Sequence, residues 1–238
     1  MLSNFQLIIF DKDGTLIHFD AMWSGWVTEL ARRLEAACGQ PVTEALFREM
    51  GFDPVSGRVL PHGKLAATPM ARLRALTVDV LRELGLPPAD AEAAVAAAWH
   101  IPDPVTLARP FTDLPTLFGA LRQRGIKIAI ATTDDRAPTE ATLAGLGVAS
   151  FVEAMVCADD GVPVKPRPDM VFAVCRATGV DPAHSVVVGD SIADLQMGKA
   201  AGAGLVVGVL SGVSPAEVLE SIADRVLTSI DELMKIGS

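Results

Sequence analysis

The feature that most constrains the fold is an alternation of short apolar runs with longer amphipathic segments. Five apolar runs have the length and composition of buried strands, at 6–10, 127–131, 151–157, 185–188 and 204–209. Helical patterns separate most of them, at 114–124, 139–146, 168–178 and 192–201, and the glycine that follows each indicates a helix end. Strands that alternate with helices predict a doubly wound, Rossmann-like α/β core around a parallel sheet.

The alternation stops between residues 20 and 106, where no convincing strand pattern appears. Helical patterns occupy 20–37, 43–50, 69–84 and 88–99, and the segment 51–68 between them has the composition of a long loop. We therefore predict two domains. An α/β core domain comprises residues 1–17 and 107–238, and an all-helical cap domain of residues 18–106 is inserted into it.

Composition excludes several classes of function. The 238 residues carry a net charge of −9 and no basic cluster longer than two arginines, so a nucleic-acid partner is not expected. No apolar stretch approaches the roughly 18 residues of a membrane span, and no signal peptide is indicated. Three cysteines without a Cys-x-x-Cys pair are typical of reduced thiols, which favours a cytoplasmic protein.

Polar side chains follow most of the predicted core strands. They are Asp11 and Asp13, Thr132 and Thr133, Lys165, and Asp190 and Asp194. Parallel strands bring their carboxyl ends to one edge of the sheet, so these groups are expected to meet there. Carboxylates that crowd together repel each other, and a divalent cation relieves the repulsion. Ligands that are all oxygen favour Mg²⁺, which also accepts a substrate phosphate oxygen.

The motifs resemble those of the haloacid dehalogenase-like superfamily, in its phosphatase branch. The sequence Asp-x-Asp-Gly-Thr at 11–15 follows the first strand, and Thr132, the "VKPRPD" around Lys165 and the "GDSIAD" from 189 to 194 follow in the family's order. The last two stretches are similar to those of phosphoglycolate phosphatases and their relatives. The position of the helical insert resembles the family's C1-type cap.

This resemblance implies roles for the residues at the strand ends. Asp11 would be the nucleophile that forms an aspartyl phosphate, and Asp13 would pass protons to the leaving group and from the attacking water. Thr132, Thr133 and Lys165 would bind the phosphate group. The expected reaction is the hydrolysis of a small phosphorylated metabolite.

The resemblance also implies a magnesium site. Mg²⁺ would be held by Asp11, by Asp13 through its backbone carbonyl, and by Asp190. Asp194, one helical turn after Asp190, would support the site by bonding Lys165 or a metal-bound water. Ser191 is expected to cap the helix that follows.

Other charged and aromatic residues are weaker candidates. Substrate contact from the cap is a further possibility for His18, Trp23, Arg58, His62 and Lys64, although core packing or a solvated loop is the more ordinary explanation for each. The four acidic residues at 134, 135, 159 and 160 are expected to be solvated loop charges.

Within the same family, the motifs are compatible with a phosphosugar mutase, whereas Asp13 argues against a dehalogenase. A phosphosugar mutase would keep the aspartyl phosphate for a second hydroxyl, whereas a dehalogenase would lack an acid at the position of Asp13. From another class, a phospho-acceptor signalling module also combines Asp, Mg²⁺, Thr and Lys, but on a shorter chain without an insert. The sequence leaves open the metabolite and whether the protein is a monomer or a homodimer.

Overall fold

The structure is a computed structural model that describes residues 4–60 and 63–235. It divides into two compact units, a core unit of Met1–Phe19 and Pro104–Ser238 and an inserted unit of Asp20–Asp103. The strands are β1 Leu7–Phe10, β2 Phe52–Asp53, β3 Arg58–Val59, β4 Lys127–Ala131, β5 Val152–Val156, β6 Ser185–Gly189, β7 Leu205–Val209 and β8 Arg225–Leu227. The α-helices are α1 Phe19–Cys38, α2 Thr43–Met50, α3 Lys64–Ala67, α4 Met70–Glu83, α5 Pro88–Ala98, α6 Leu114–Gln123, α7 Arg136–Gly145, α8 Asp169–Thr178, α9 Ile192–Ala201 and α10 Ala216–Glu220.

The core unit is built on a six-stranded sheet with the order β5-β4-β1-β6-β7-β8. Every neighbouring pair is parallel, and β1 lies between β4 and β6, with Phe10 opposite Ile130 on one side and Val188 on the other. The predicted parallel, doubly wound core is therefore confirmed. The central strand β1 is completely buried, which explains its uninterrupted apolar sequence.

Helices cover both faces of the sheet because side chains alternate along each strand. On one face, Ile9 belongs to a buried cluster with Met170 of α8 and Met197 of α9. On the other face, the ring of Phe10 stacks on Phe118 of α6, with 5.5 Å between the ring centroids. The two faces of β1 thus pack against different helices. Its carboxyl end leads directly into the loop that begins at residue 11.

Three elements of the core unit differ from the prediction, namely α7, α10 and β8. Helix α7 begins at Arg136, three residues before the predicted start, because Pro138 is tolerated in the first turn of a helix. Helix α10 and strand β8 were not predicted, since their five and three residues are too few to show a periodic pattern.

The inserted unit is not all-helical, and in this respect the prediction was wrong. Five helices, α1 to α5, are accompanied by an antiparallel pair of two-residue strands, β2 and β3, within the segment expected to be a loop. The Asp53 carboxylate accepts hydrogen bonds from the backbone N–H groups of Val55 and Ser56, and Gly57 adopts a φ of +69°. The turn at 53–57 is therefore built by an aspartate side chain and a glycine, a typical turn chemistry.

None of the helices in residues 4–60 and 63–235 combines the length and the apolar character needed to cross a bilayer.

We expect Phe118→Ala to lower the free energy of unfolding of the core unit by about 3–5 kcal/mol, because it empties a fully buried site against Phe10. The measurement is urea unfolding followed by far-ultraviolet circular dichroism. Phe172→Ala is the matched control, since that ring on α8 is 37% exposed and its loss should cost about 1 kcal/mol or less. Equal losses in the two variants would contradict the assignment of Phe118 to the core.

Candidate active site

The polar groups predicted from the sequence lie where the loops after neighbouring strands converge. Asp11 follows β1, Thr132 follows β4 and Asp190 follows β6, and these three strands are adjacent in the sheet. Lys165 comes from the loop between β5 and α8, and Asp194 from the first turn of α9. The parallel sheet thus delivers all five residues to one edge.

The centre of the site is a cluster of three buried carboxylates. One oxygen from each of Asp11, Asp190 and Asp194 lies within 4.8 Å of the others. The Lys165 ammonium group is 2.5 Å from Oδ1 of Asp11 and 2.5 Å from Oδ1 of Asp194. Three carboxylates against one ammonium leave an excess of negative charge, which is the environment that a divalent cation requires.

The pKa values reflect this crowding. Burial raises the pKa of Asp11 to about 7, with Lys165 opposing the shift and Asp194 adding to it. Burial, followed by repulsion from Asp11 and Asp194, raises the pKa of Asp190 well above its usual range. Burial alone would lower the pKa of Lys165, but the charges of the two carboxylates outweigh it and hold that pKa above its ordinary value. Without a further positive charge the carboxylates resist full ionisation.

Asp190 is positioned by the loops on both sides of it. Its Oδ1 accepts a hydrogen bond from the Thr15 hydroxyl at 3.3 Å, and its Oδ2 accepts one from the backbone N–H of Val213 at 2.8 Å. A Cβ atom on Gly14 would lie 2.5 Å from Oδ2, and one on Gly212 only 1.9 Å from it. Both positions therefore need glycine to let the backbone approach the carboxylate, and Gly14 also adopts a φ of +86°.

Helix α9 fixes Asp194 through a capping box. The Ser191 hydroxyl accepts from the backbone N–H of Asp194, and the Asp194 carboxylate accepts from the backbone N–H of Ser191. Ser191 is the N-cap, as its position predicted. Because Oδ2 of Asp194 is engaged in the cap at 3.0 Å, its Oδ1 is the oxygen that faces Lys165.

The two threonines after β4 differ in their surroundings. Thr132 is 1% exposed, its backbone N–H donates to the carbonyl of Val156, and its hydroxyl oxygen accepts from the N–H of Asp134 at 3.2 Å. Thr133 is half-buried. Their proposed contacts with a phosphate group stay a prediction.

Lys12, between the two motif aspartates, is the residue that the sequence interpretation missed. It is 1% exposed, and its Nζ forms ion pairs with Oδ2 of Asp13 at 2.6 Å and with Oδ2 of Asp134 at 2.9 Å. Asp134 is only 14% exposed in its side chain, so its prediction as a solvated loop charge was wrong. Burial raises its pKa to about 6, with the charge of Lys12 opposing the shift.

The register between β1 and β4 explains why Lys12 meets Asp134. Phe10 lies opposite Ile130, so the loops that carry Lys12 and Asp134 leave the sheet side by side. Neither residue type nor spacing alone reveals that register.

The weaker substrate-binding candidates lie in varied surroundings. The exposed His18 ring lies 3.9 Å from that of Phe111, and Trp23 is buried with its ring edge-on to Trp26. Arg58 pairs with Asp20 at 3.2 Å, and Lys64 pairs with Glu49, all at the surface of the inserted unit. His62 lies outside the described residues. Substrate contact stays a prediction for all five candidates.

Comparison with known proteins connects this geometry to a family. A model of the haloacid dehalogenase-like hydrolases matches residues 5–202. A phosphoglycolate phosphatase of Rhodospirillum rubrum is 30% identical over 85% of this chain and 78% of its own length. An N-acetylmuramic acid 6-phosphate phosphatase of Pseudomonas aeruginosa is 28% identical over 83% and 78%. The crystal structure of a predicted phosphoglycolate phosphatase from Haemophilus somnus aligns with a TM-score of 0.71 at 20% identity, covering 99% of both chains.

The family match is consistent with the α/β fold and with the acidic cluster at the strand ends. The chain belongs to the haloacid dehalogenase-like hydrolases. Within that family it is an enzyme of the phosphatase branch, a hydrolase of phosphoric monoesters.

We expect Lys12→Met to lower the free energy of unfolding by about 3–5 kcal/mol, because it leaves two buried carboxylates without their cation. Urea unfolding measures the effect. Lys199→Met is the control: Lys199 pairs with Asp224 where both side chains are 40% exposed, so its loss should cost about 1 kcal/mol or less. A Lys12 variant as stable as the Lys199 variant would show that the buried pairs do not form.

Proposed function

We propose that the protein is a Mg²⁺-dependent phosphatase that hydrolyses a small phosphorylated metabolite through an aspartyl-phosphate intermediate on Asp11. The observation that carries the proposal is the buried cluster of Asp11, Asp190 and Asp194 around the ammonium group of Lys165. Such a cluster combines a nucleophile with a site for a divalent cation and a fixed positive charge.

The donor set fits Mg²⁺. Asp11 and Asp190 would hold the ion together with the backbone carbonyl of Asp13, and Asp194 would support them from α9. The excess negative charge of the cluster favours a doubly charged cation. When bound, the ion would offset the charge of the substrate phosphate.

The residues divide the chemistry between them. A carboxylate oxygen of Asp11 forms a bond to phosphorus while the bond between phosphorus and the leaving oxygen breaks, and Asp13 gives that oxygen a proton. Water then attacks the aspartyl phosphate, Asp13 takes the water's proton, and inorganic phosphate and free Asp11 result. Lys165 and the Thr132 hydroxyl stabilise the negative charge of the phosphoryl oxygens.

The substrate proposal rests on the relatives. The Rhodospirillum rubrum protein is named a phosphoglycolate phosphatase and the Pseudomonas aeruginosa protein an N-acetylmuramic acid 6-phosphate phosphatase. We propose 2-phosphoglycolate as the first candidate for this enzyme, within a panel of small phosphorylated metabolites. Release of inorganic phosphate at every turnover separates hydrolysis from a mutase reaction, and repeated turnover separates it from a signalling module.

We expect Asp11→Asn to reduce the release of p-nitrophenol from p-nitrophenyl phosphate by at least about 10³-fold, because the amide cannot attack phosphorus. EDTA should abolish the activity of the unchanged enzyme, and added Mg²⁺ should restore it. Asp90→Asn, which changes an exposed aspartate on α5, is the control and should leave the rate unchanged. Full activity of the Asp11 variant, with its fold verified by circular dichroism, would refute the nucleophile assignment.

We expect Gly212→Ala to raise the Mg²⁺ concentration for half-maximal activity by about tenfold or more, because the new Cβ displaces the Asp190 carboxylate. The checks are a Mg²⁺ titration of activity and calorimetric Mg²⁺ binding. Gly25→Ala is the control, since no atom lies within 4 Å of the added carbon. An unchanged Mg²⁺ affinity in the Gly212 variant would remove Asp190 from the proposed ligands.

A further inference from the structure

A buried lysine is unusual enough to require an explanation. Lys12 is completely enclosed in the core unit although its side chain is long, flexible and charged. Its ammonium group lies between two carboxylates from different strand ends, Asp13 after β1 and Asp134 after β4. Two ion pairs and full burial remove the rotamer freedom of the side chain, so the ammonium position is fixed by contacts at both sides.

The consequence for Asp13 is an asymmetry between its two carboxylate oxygens. Oδ2 is held by Lys12 at 2.6 Å. Oδ1 is buried and has no hydrogen-bond partner among the described residues. Because the ion pair with Lys12 occupies Oδ2, Oδ1 is the oxygen that is left to exchange a proton.

We propose that Lys12 is a positioning residue for proton transfer: anchored by Asp134, it holds Oδ2 of Asp13 so that Oδ1 is the oxygen that protonates the leaving group. The inference rests on the proposed role of Asp13. In the step concerned, the bond between phosphorus and the leaving oxygen breaks, that oxygen keeps the electron pair, and it receives the proton from Oδ1. Lys12 itself exchanges no proton in this step.

The alternative is that the Lys12–Asp13–Asp134 trio serves stability alone. The two roles differ in their dependence on the leaving group. An alkoxide needs a proton to leave, whereas p-nitrophenolate is a stable anion and needs little help. Loss of Asp13 positioning therefore slows the cleavage of an alkyl phosphate much more than that of p-nitrophenyl phosphate. A general loss of structure slows both by the same factor.

The experiment uses the double variant Lys12→Met/Asp134→Asn, which removes the cation together with the charge that it would otherwise leave uncompensated. Release of the leaving group is followed in a single turnover, so that only the first half-reaction is observed. The two substrates are p-nitrophenyl phosphate and the alkyl phosphate that is cleaved fastest in a panel of 2-phosphoglycolate, glycerol 3-phosphate and sugar phosphates. Lys199→Met/Asp224→Asn, which neutralises an exposed ion pair in the same unit, is the matched control.

We expect the double variant to lose about 100-fold or more with the alkyl phosphate but less than about threefold with p-nitrophenyl phosphate. The control should change neither rate. Equal losses with the two substrates, or no loss with the alkyl phosphate, would overturn the positioning role.

The variant Asp13→Asn tests the proposed role of Asp13 as proton donor separately from the positioning role of Lys12. If Asp13→Asn shows the leaving-group dependence and the Lys12 double variant does not, the positioning role alone is wrong. If Asp13→Asn slows both substrates equally, Asp13 is not the proton donor, and both the proposed mechanism and the role of Lys12 fall. Matching selective losses in the two variants support the role.

Discussion

The bridge that the Lys165 ammonium group makes between Asp11 and Asp194 is the interaction on which the site depends. Three buried carboxylates would separate or take up protons without compensating charge. The lysine joins the end of β1 to the first turn of α9, and it enters from a loop that belongs to neither. Removing one member of such a buried group is costly because the others remain buried and charged.

The order of the strands explains why residues distant in the sequence meet at this site. Because β1 lies between β4 and β6, its loop is flanked by the loops that carry Thr132 and Asp190. The loop after β7 reaches back across the site, where the Ser211 hydroxyl donates to the Gly14 carbonyl at 2.7 Å. The same loop also holds a carboxylate directly, because the backbone N–H of Val213 donates to Oδ2 of Asp190.

The sequence predicts the core sheet well because its strands are buried and therefore continuous in their apolar character. It predicts the convergence of Asp11, Lys165 and Asp190 because a parallel sheet places the carboxyl ends of its strands at the same edge. It does not predict the ion pairs of Lys12 and Asp134, since the default expectation for charged residues near loops is solvation and only the strand register places the two together. The short strands β2 and β3 are not predicted because two residues are too few to show a periodic pattern.

The central place of β1 also bears on how the chain acquires its structure. Leu7 is opposite Lys127 on one side and Ser185 on the other, so this early strand must wait for segments that emerge much later from the ribosome. Closing such long loops is entropically costly and makes folding slow. Until β6 pairs with it, the apolar strand β1 has one edge without hydrogen-bond partners. A nascent chain with such an exposed apolar edge is prone to aggregation and is expected to be protected by chaperones.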